Sequence, residues 1–321
     1  MRAVWYEKLG PAHEVLKAGE MADPVPGPGE VRVRIAYSGV NPSDVKRRSG
    51  ATVGAMPFPR VIPDMDGSGV IDRVGPGVDE KRLGERVWLH STQWKRPYGT
   101  AAEYAVTPAD RAIALPKNVS MDAGASLGVP AMTAHRAVFA PGSVTGKTVL
   151  VTGGAGAVGF YAIQLAKWAG ARVIATVSSA EKARLASRAG ADAVVDYKKD
   201  AVAEKVDHVV EVDFGANLQA TLACLKEGGS IATYASMGKP EPAIPFYPMM
   251  FRNLRLFWVF VYEMWPQAIG AAGREVNAWL ESGRAVFPSF TTFPLERLAD
   301  AHAAVEQGAV GKVLAGCRPE P

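Results

Sequence analysis

Cysteine is nearly absent. The 321 residues hold two, Cys224 and Cys317. Two isolated thiols build neither a disulfide framework nor a Cys-x-x-Cys metal spacing. Such usage fits a reducing compartment, and the expectation is a cytoplasmic protein. An excess of one charge is lacking as well. Lys and Arg number 36 against 32 Asp and Glu, a net +4, with the two signs mixed along the chain. No basic stripe stands out, so no nucleic-acid partner is expected. Long apolar runs are also missing. The most apolar, Leu254 to Val261, is far too short to cross a bilayer as a helix, so no membrane partner is expected. The opening residues Met1 to Lys8 lack the apolar core of a secretory signal.

What the chain does carry is concentrated at Thr148-Val149-Leu150-Val151-Thr152-Gly153-Gly154-Ala155-Gly156-Ala157-Val158-Gly159. A β-branched strand runs into a glycine turn, and small residues then open a helix. Two spacings overlap, Gly154-x-Gly156-x-x-Gly159 and Gly153-x-x-Gly156-x-x-Gly159. A bound pyrophosphate needs such a turn: the chain bends sharply, backbone approaches the anion with no Cβ between, and the helix starts close to its strand. The helix N-terminus offers free N–H groups and the positive end of its dipole. Gly153, Gly154, Ala155, Gly156, Ala157 and Val158 are therefore expected to hold a dinucleotide. The bland alternative is a glycine-rich turn without a ligand. A P-loop is excluded, because no Gly-Lys-Ser/Thr follows the last glycine.

The length suggests two domains. The first 120 or so residues are strand-like and turn-rich, with alternation at Val31–Tyr37 and further strands at Val70–Val74 and Arg86–Leu89. From Thr148 the pattern changes to strand and helix in turn. Expected helices cover Phe160–Ala169, Ala180–Ala189 and Ala216–Leu225. Expected strands cover Arg172–Val177, Ala193–Asp196, Val206–Val212 and Ser230–Tyr234. This alternation predicts an α/β fold, a doubly wound parallel sheet with both faces covered and a ligand crevice at the carboxyl ends of its strands. Leu254–Tyr262 reads either as a core edge strand or as a sheet edge pairing with a second copy across a two-fold axis. Helices around Pro266–Ser282 and Leu295–Gln307 and a closing strand Lys312–Ala315, returning to the β domain, complete the chain.

An NAD-binding strand usually ends in Asp or Glu about 20 residues past the glycine turn, bonded to the ribose 2′-hydroxyl. Here that end reads Ala175-Thr176-Val177-Ser178-Ser179, with no carboxylate before Glu181. Ser178, Ser179 and Lys182 cluster at a helix start. Hydroxyls and an ammonium suit a 2′-phosphate, so the expected cofactor is NADPH. Ser179 as a helix N-cap and Lys182 on a solvated face form the competing structural account.

With these residues in place, the chain resembles the zinc-independent medium-chain dehydrogenases/reductases, and most of all the NADPH:quinone oxidoreductases of the zeta-crystallin group. The likeness spans essentially the whole length. It rests on Met1-Arg2-Ala3-Val4, Gly39-Val40-Asn41-Pro42-Ser43-Asp44, Gly67-Ser68-Gly69-Val70, Tyr98–Ala105, Gly128–Ala134, the glycine turn and Gly311-Lys312-Val313-Leu314. The resemblance implies a GroES-like β-rich catalytic domain over residues 1–122, a Rossmann NADPH-binding domain over 123–264 and a return to the catalytic domain over 265–321. It implies a homodimer formed through Leu254–Tyr262. It also implies Asn41 and Asp44 as catalytic residues beside the nicotinamide, at the floor of the cleft, and Thr133 contacting that ring from the far side. By the same resemblance Tyr197 joins Ser178 and Lys182 near the 2′-phosphate, and Lys312 closes over the cofactor. Plainer readings make Asn41 a turn residue before Pro42 and Tyr197 a strand-end aromatic.

Zinc-bearing relatives place Cys, His and Cys where this chain has Asn41, Met65 and Val129, so no metal is expected. A Tyr that donates a proton in enoyl-thioester reductases is missing from Ser49–Gly54. The expected activity is therefore metal-free hydride transfer from NADPH to a quinone. An NADPH-dependent enone or alkenal reductase is the alternative, and a nucleotide- or RNA-binding protein with little turnover ranks below it. Phe58, Trp94 and Tyr98 are candidates to line an apolar acceptor slot.

Overall fold

The structure, a computed structural model, describes Met1–Cys317. It divides into two compact units. One comprises Met1–Val129, Met264–Gly283 and the chain from Ser289; the other comprises Pro130–Glu263 and Arg284–Pro288.

The first unit is built on a seven-stranded sheet. In spatial order its strands are Phe290–Pro294, Lys312–Gly316, Glu30–Val40, Asp66–Val74, Arg86–Leu89 and Ala112–Ala114, with Tyr104–Pro108 also paired to Glu30–Val40. Glu30–Val40 is the hub, because its alternation turns Val31, Val33 and Ile35 into the core. The polar side of that alternation is less wet than the pattern predicts. Arg32 is only 4% exposed, held by both Asp72 oxygens and stacked on Tyr104. Lys312–Gly316 pairs antiparallel to Glu30–Val40, with Val313 opposite Val40. The closing strand thus returns to the β unit as expected, beside a strand, Phe290–Pro294, that the sequence pattern did not reveal.

The plain reading of Asn41 as a turn residue is corrected here. Asn41 is the N-cap of a helix, Pro42–Ser49, with Pro42 in its first turn and Gly50 closing it at φ +91. Asn before Pro and Asp three residues after the cap are helix-start signals as much as turn signals.

The second unit carries a six-stranded sheet in the order Ala193–Asp196, Arg172–Val177, Thr148–Val151, Val206–Glu211, Leu225–Thr233, Arg255–Trp258. Every pairing in it is parallel. Helices Ala157–Trp168, Ala180–Arg188 and Phe214–Cys224 connect its strands. The doubly wound reading therefore holds, and the strand order reverses direction at Thr148–Val151, the place where such sheets bind ligands. Burial of Phe160, Ile163, Leu165, Val173 and Ile174 anchors these elements, each full burial contributing about 2 kcal/mol.

One expectation shrinks. Leu254–Tyr262 is strand only over Arg255–Trp258, and a 3-10 turn follows at Val261–Glu263. A run of strand formers extends only as far as its neighbour offers hydrogen bonds, and Leu225–Thr233 ends opposite Trp258. The sequence pattern also missed helix Gly128–Phe139, whose Gly-Val-Pro-Ala start lacks a polar cap residue.

Candidate functional site

The glycine turn leaves the carboxyl end of Thr148–Val151 and enters helix Ala157–Trp168 with Gly156 as N-cap. Each glycine has its own reason. Gly153 sits at φ +65, where a side chain is strained. A Cβ on Gly154 would lie 2.8 Å from the Ala175 methyl, and one on Gly159 only 2.3 Å from the Gly153 carbonyl oxygen. Gly156 differs. It is exposed, and a Cβ there would meet only the Gly153 oxygen, at 3.3 Å. The fold itself makes little demand for glycine at 156. An approaching anion does, which is the fit expected of a phosphate cradle.

The turn is held rigid from below by a residue the sequence analysis missed. Glu211 is fully buried at the end of its strand. Its Oε1 accepts from the Thr152 hydroxyl at 2.9 Å, the Asp213 N–H at 2.7 Å and Asn217 Nδ2 at 2.7 Å; Oε2 accepts from the Thr221 hydroxyl at 3.0 Å. Thr152 in turn accepts from the Val212 N–H. A carboxylate placed directly after Val209-Val210, at the end of an expected strand, was the available signal.

At the end of Arg172–Val177 the structure gathers Ser178, Ser179, Lys182 and Tyr197. Ser179 caps helix Ala180–Arg188, its hydroxyl accepting from the Lys182 N–H at 3.3 Å. The Lys182 ammonium donates to the Ser178 hydroxyl at 3.1 Å. Tyr197 follows strand Ala193–Asp196, donates its N–H to the Val177 carbonyl and leaves its ring 58% exposed. The Ser179 cap leaves the Lys182 side chain exposed and the Tyr197 ring half exposed. Thr133 is buried on helix Gly128–Phe139.

In the first unit, Asn41, Asp44 and Lys312 come together with two further residues, Asp64 and Asp66. All five are at most 3% exposed. The Asn41 N–H donates to Asp44 Oδ2 at 2.8 Å, and Asn41 Nδ2 donates to Asp66 Oδ2 at 2.7 Å. Lys312 Nζ donates to Asn41 Oδ1 at 2.6 Å and stands 3.7 Å from Asp66 Oδ2. Asp64, at φ +74, accepts from the Ser38 hydroxyl and binds His302 Nε2 at 3.0 Å. Three carboxylates around one lysine in a dry environment repel one another. Burial pushes the Asp44 carboxyl well up, helped by Asp64 and Asp66, and one of its oxygens has no partner. Burial also raises Asp66, to about 6, against the pull of Lys312 and Asn41, and it lowers Lys312. The Asp-x-Asp of Asp64-Met65-Asp66, set against a strand start, was a legible sign of this cluster.

The acceptor-slot candidates Phe58, Trp94 and Tyr98 all belong to the first unit. Phe58 packs with Met56 against the Tyr6–Val15–Val61 cluster. Trp94 carries the Arg47 guanidinium 5.0 Å from its ring centre, and Tyr98 is 39% exposed. His90 is buried and held down to about 3 by desolvation, and the His135 ring sits 4.9 Å from that of Phe139, tilted by 54°. Among the described residues no three or more His, Cys, Asp or Glu side chains are placed to hold a metal ion, and no helix is long and apolar enough to cross a membrane.

Comparison with known proteins agrees with this geometry. An alcohol dehydrogenase GroES-like domain matches residues 27–117, and a zinc-binding dehydrogenase domain matches residues 157–274. Human quinone oxidoreductase is 30% identical over 327 residues, covering 98% of this chain and 97% of its own. The chloroplastic NADPH-dependent alkenal/one oxidoreductase of Arabidopsis thaliana is 29% identical, covering 89% of this chain and 71% of its own. A mycobacterial protein solved in complex with NADPH superposes with a TM-score of 0.83 at 28% identity, covering 98% of this chain and 99% of the other.

Proposed function

The chain belongs to the quinone oxidoreductase family of medium-chain dehydrogenases/reductases, and from that premise we propose that it is an NADPH-dependent reductase transferring hydride to a quinone without a metal. One observation carries the cofactor assignment. The exposed, nearly unobstructed Gly156 stands in a rigid turn, and the neighbouring strand is followed by Ser178 and, in the first turn of the next helix, Lys182 instead of a strand-end carboxylate. Gly153 to Val158 would hold the pyrophosphate, with Ser178, Ser179, Lys182 and Tyr197 at the 2′-phosphate. Asn41 and Lys312 of the first unit are the residues we assign to the nicotinamide end; Thr133 is assigned a nicotinamide contact by resemblance alone.

Bound NADPH supplies the hydride. The protein orients the reactants and excludes water. A quinone is already electrophilic, and its reduction yields a stabilised hydroquinone anion, so no metal Lewis acid is required. Asn41, Met65 and Val129 stand where zinc ligands would be needed, and Asn, Met and Val assemble no tetrahedral nitrogen–sulfur site. Asn41, gripped by Lys312 and Asp66, is the polar group we assign to the reacting end, with Asp44 beneath it.

Resemblance to the Arabidopsis alkenal/one oxidoreductase favours one second reading, reduction of an activated alkene with protonation of the enolate. Steady-state oxidation of NADPH against a quinone panel and an enone panel decides between them. Turnover with quinones is the expected result; none with any quinone overturns the first reading.

We also infer a cytoplasmic homodimer joined through the Arg255–Trp258 edge. Among the described residues that strand is paired on one side only, and Trp258 and Phe260 are 68% and 55% exposed. Both cysteines are free thiols, in keeping with a reducing compartment. Sedimentation of the W258R/F260E double variant as a monomer is the expected check.

A further inference from the structure

We propose that Asp66 is a positioning residue for Asn41: with Lys312 it fixes which way round the carboxamide stands, and so keeps one Nδ2 hydrogen available to a ligand carbonyl. The inference rests on Asn41 lying at the reacting end, as assigned above.

An amide side chain has two ends of nearly equal size, and only its partners decide their order. Lys312 carries donors alone, so it demands the oxygen. An ionised Asp66 carries acceptors alone, so it demands the nitrogen. The two demands agree, at 2.6 Å and 2.7 Å from opposite ends of the same group. With Oδ1 engaged by an ammonium and one N–H engaged by a carboxylate, the second N–H is polarised and has its direction fixed.

Asp66 is itself locked. Its Oδ1 accepts from the Val129 N–H at 2.7 Å, and its carbonyl accepts from the Thr100 hydroxyl at 2.5 Å. A Cβ on Gly128 would fall 2.1 Å from Oδ1, so that glycine leaves the carboxylate its space.

Protonation undoes the arrangement. A neutral Asp66 presents a donor and an acceptor together, and its demand for the Asn41 nitrogen disappears. The charged groups around it are Lys312 from strand Lys312–Gly316, Asp44 from helix Pro42–Ser49, and Asp64 from the preceding residues, itself bonded to His302 of helix Leu298–Glu306. Burial sets the Asp66 transition at about 6. Asp44 is raised by the same burial and by its neighbours, and it shares the cluster's proton load.

The apo protein supplies the first test. The Asn41 side-chain NH₂ resonances should shift between pH 5 and pH 7.5 with a midpoint near 6, and should not titrate there in Asp66→Asn. Static Asn41 resonances in the parent protein overturn the proposal, whether or not the variant folds. The second test is turnover. In Asp66→Asn, kcat should fall about 10- to 100-fold, the range seen when the outer partner of a fixed functional group is removed. KM for the quinone should stay within about threefold, and the acid limb of kcat near pH 6 should vanish. A limb that survives unchanged in the variant belongs to a group other than Asp66 and overturns the proposal. So does full kcat at pH 7. A parent enzyme inactive with every quinone and enone defeats the functional reading instead, and leaves the resonance test standing.

Discussion

Lys312 donates to the Asn41 side-chain oxygen at 2.6 Å although 271 residues separate them in the chain. The contact makes one lysine answer for a buried amide and its neighbouring carboxylates. In Lys312→Met, Asn41 Oδ1 loses its donor and Asp66 loses its cation. Removing one partner of a buried charged set costs about 3 to 5 kcal/mol. Without the ammonium, Asp44 and Asp66 rise further and take up protons more readily. An acid whose folded pKa is raised loses stability as pH climbs from its unfolded value to its folded one, and a higher folded value prolongs that loss. The loss on urea denaturation should therefore be larger at pH 8 than at pH 5. Equal losses at both would contradict the charge account.

Gly156 and Gly159 should respond oppositely to the same added methyl. Gly156→Ala meets only the Gly153 oxygen at 3.3 Å, so stability should change by less than about 1 kcal/mol. Its Kd for NADPH should rise at least about tenfold, 1.4 kcal/mol. Gly159→Ala puts a methyl 2.3 Å from a backbone oxygen and should cost about 2 to 3 kcal/mol of stability. Thermal melts and fluorescence titration with NADPH separate the two effects.

Lys182 is exposed and its ammonium donates to the Ser178 hydroxyl, which leaves it donors to spare for a phosphate. In Lys182→Ala the ratio of kcat/KM for NADPH to that for NADH should drop about tenfold. NADH kinetics should hardly move. A parallel loss with both cofactors would mean a structural role.

His208 is fully buried in the parallel sheet. Its Nε2–H donates to the Ala137 carbonyl at 2.8 Å, and Nδ1 accepts from the Ser230 hydroxyl at 2.9 Å. Desolvation drives it down to about 4, so it is neutral when folded. In the unfolded chain it gains a proton below about 6.5. Its contribution is complete above that pH and drains away as the pH falls toward 4, by about 3 kcal/mol. Denaturation at pH 7 and pH 4.5 should show this loss in the parent and not in His208→Gln. His90 and Asp66 titrate too, but they cancel in the comparison of variant with parent.

Much of the second unit was legible because its code is local. The glycine turn, the alternation of strand and helix, and the missing carboxylate after Val177 each lie within a few adjacent residues. Those residues set backbone geometry directly. Helix Gly128–Phe139 escaped because its first turn carries no side-chain cap signal. Helix Pro42–Ser49 escaped because Asn-Pro serves turns and helix starts alike.

The sequence by itself determined the parallel sheet, the place of its glycine turn and the hydroxyl–lysine cluster where an acidic residue would otherwise stand, since each follows from neighbours along the chain. Only tertiary structure decided that Asn41 would be held between Asp66 and Lys312. That outcome depends on Val313 pairing with Val40 and on Gly39 pairing with Asp66. Strand register across long loops chooses which polar side chains are buried together. Once buried, they must satisfy one another, because water no longer can.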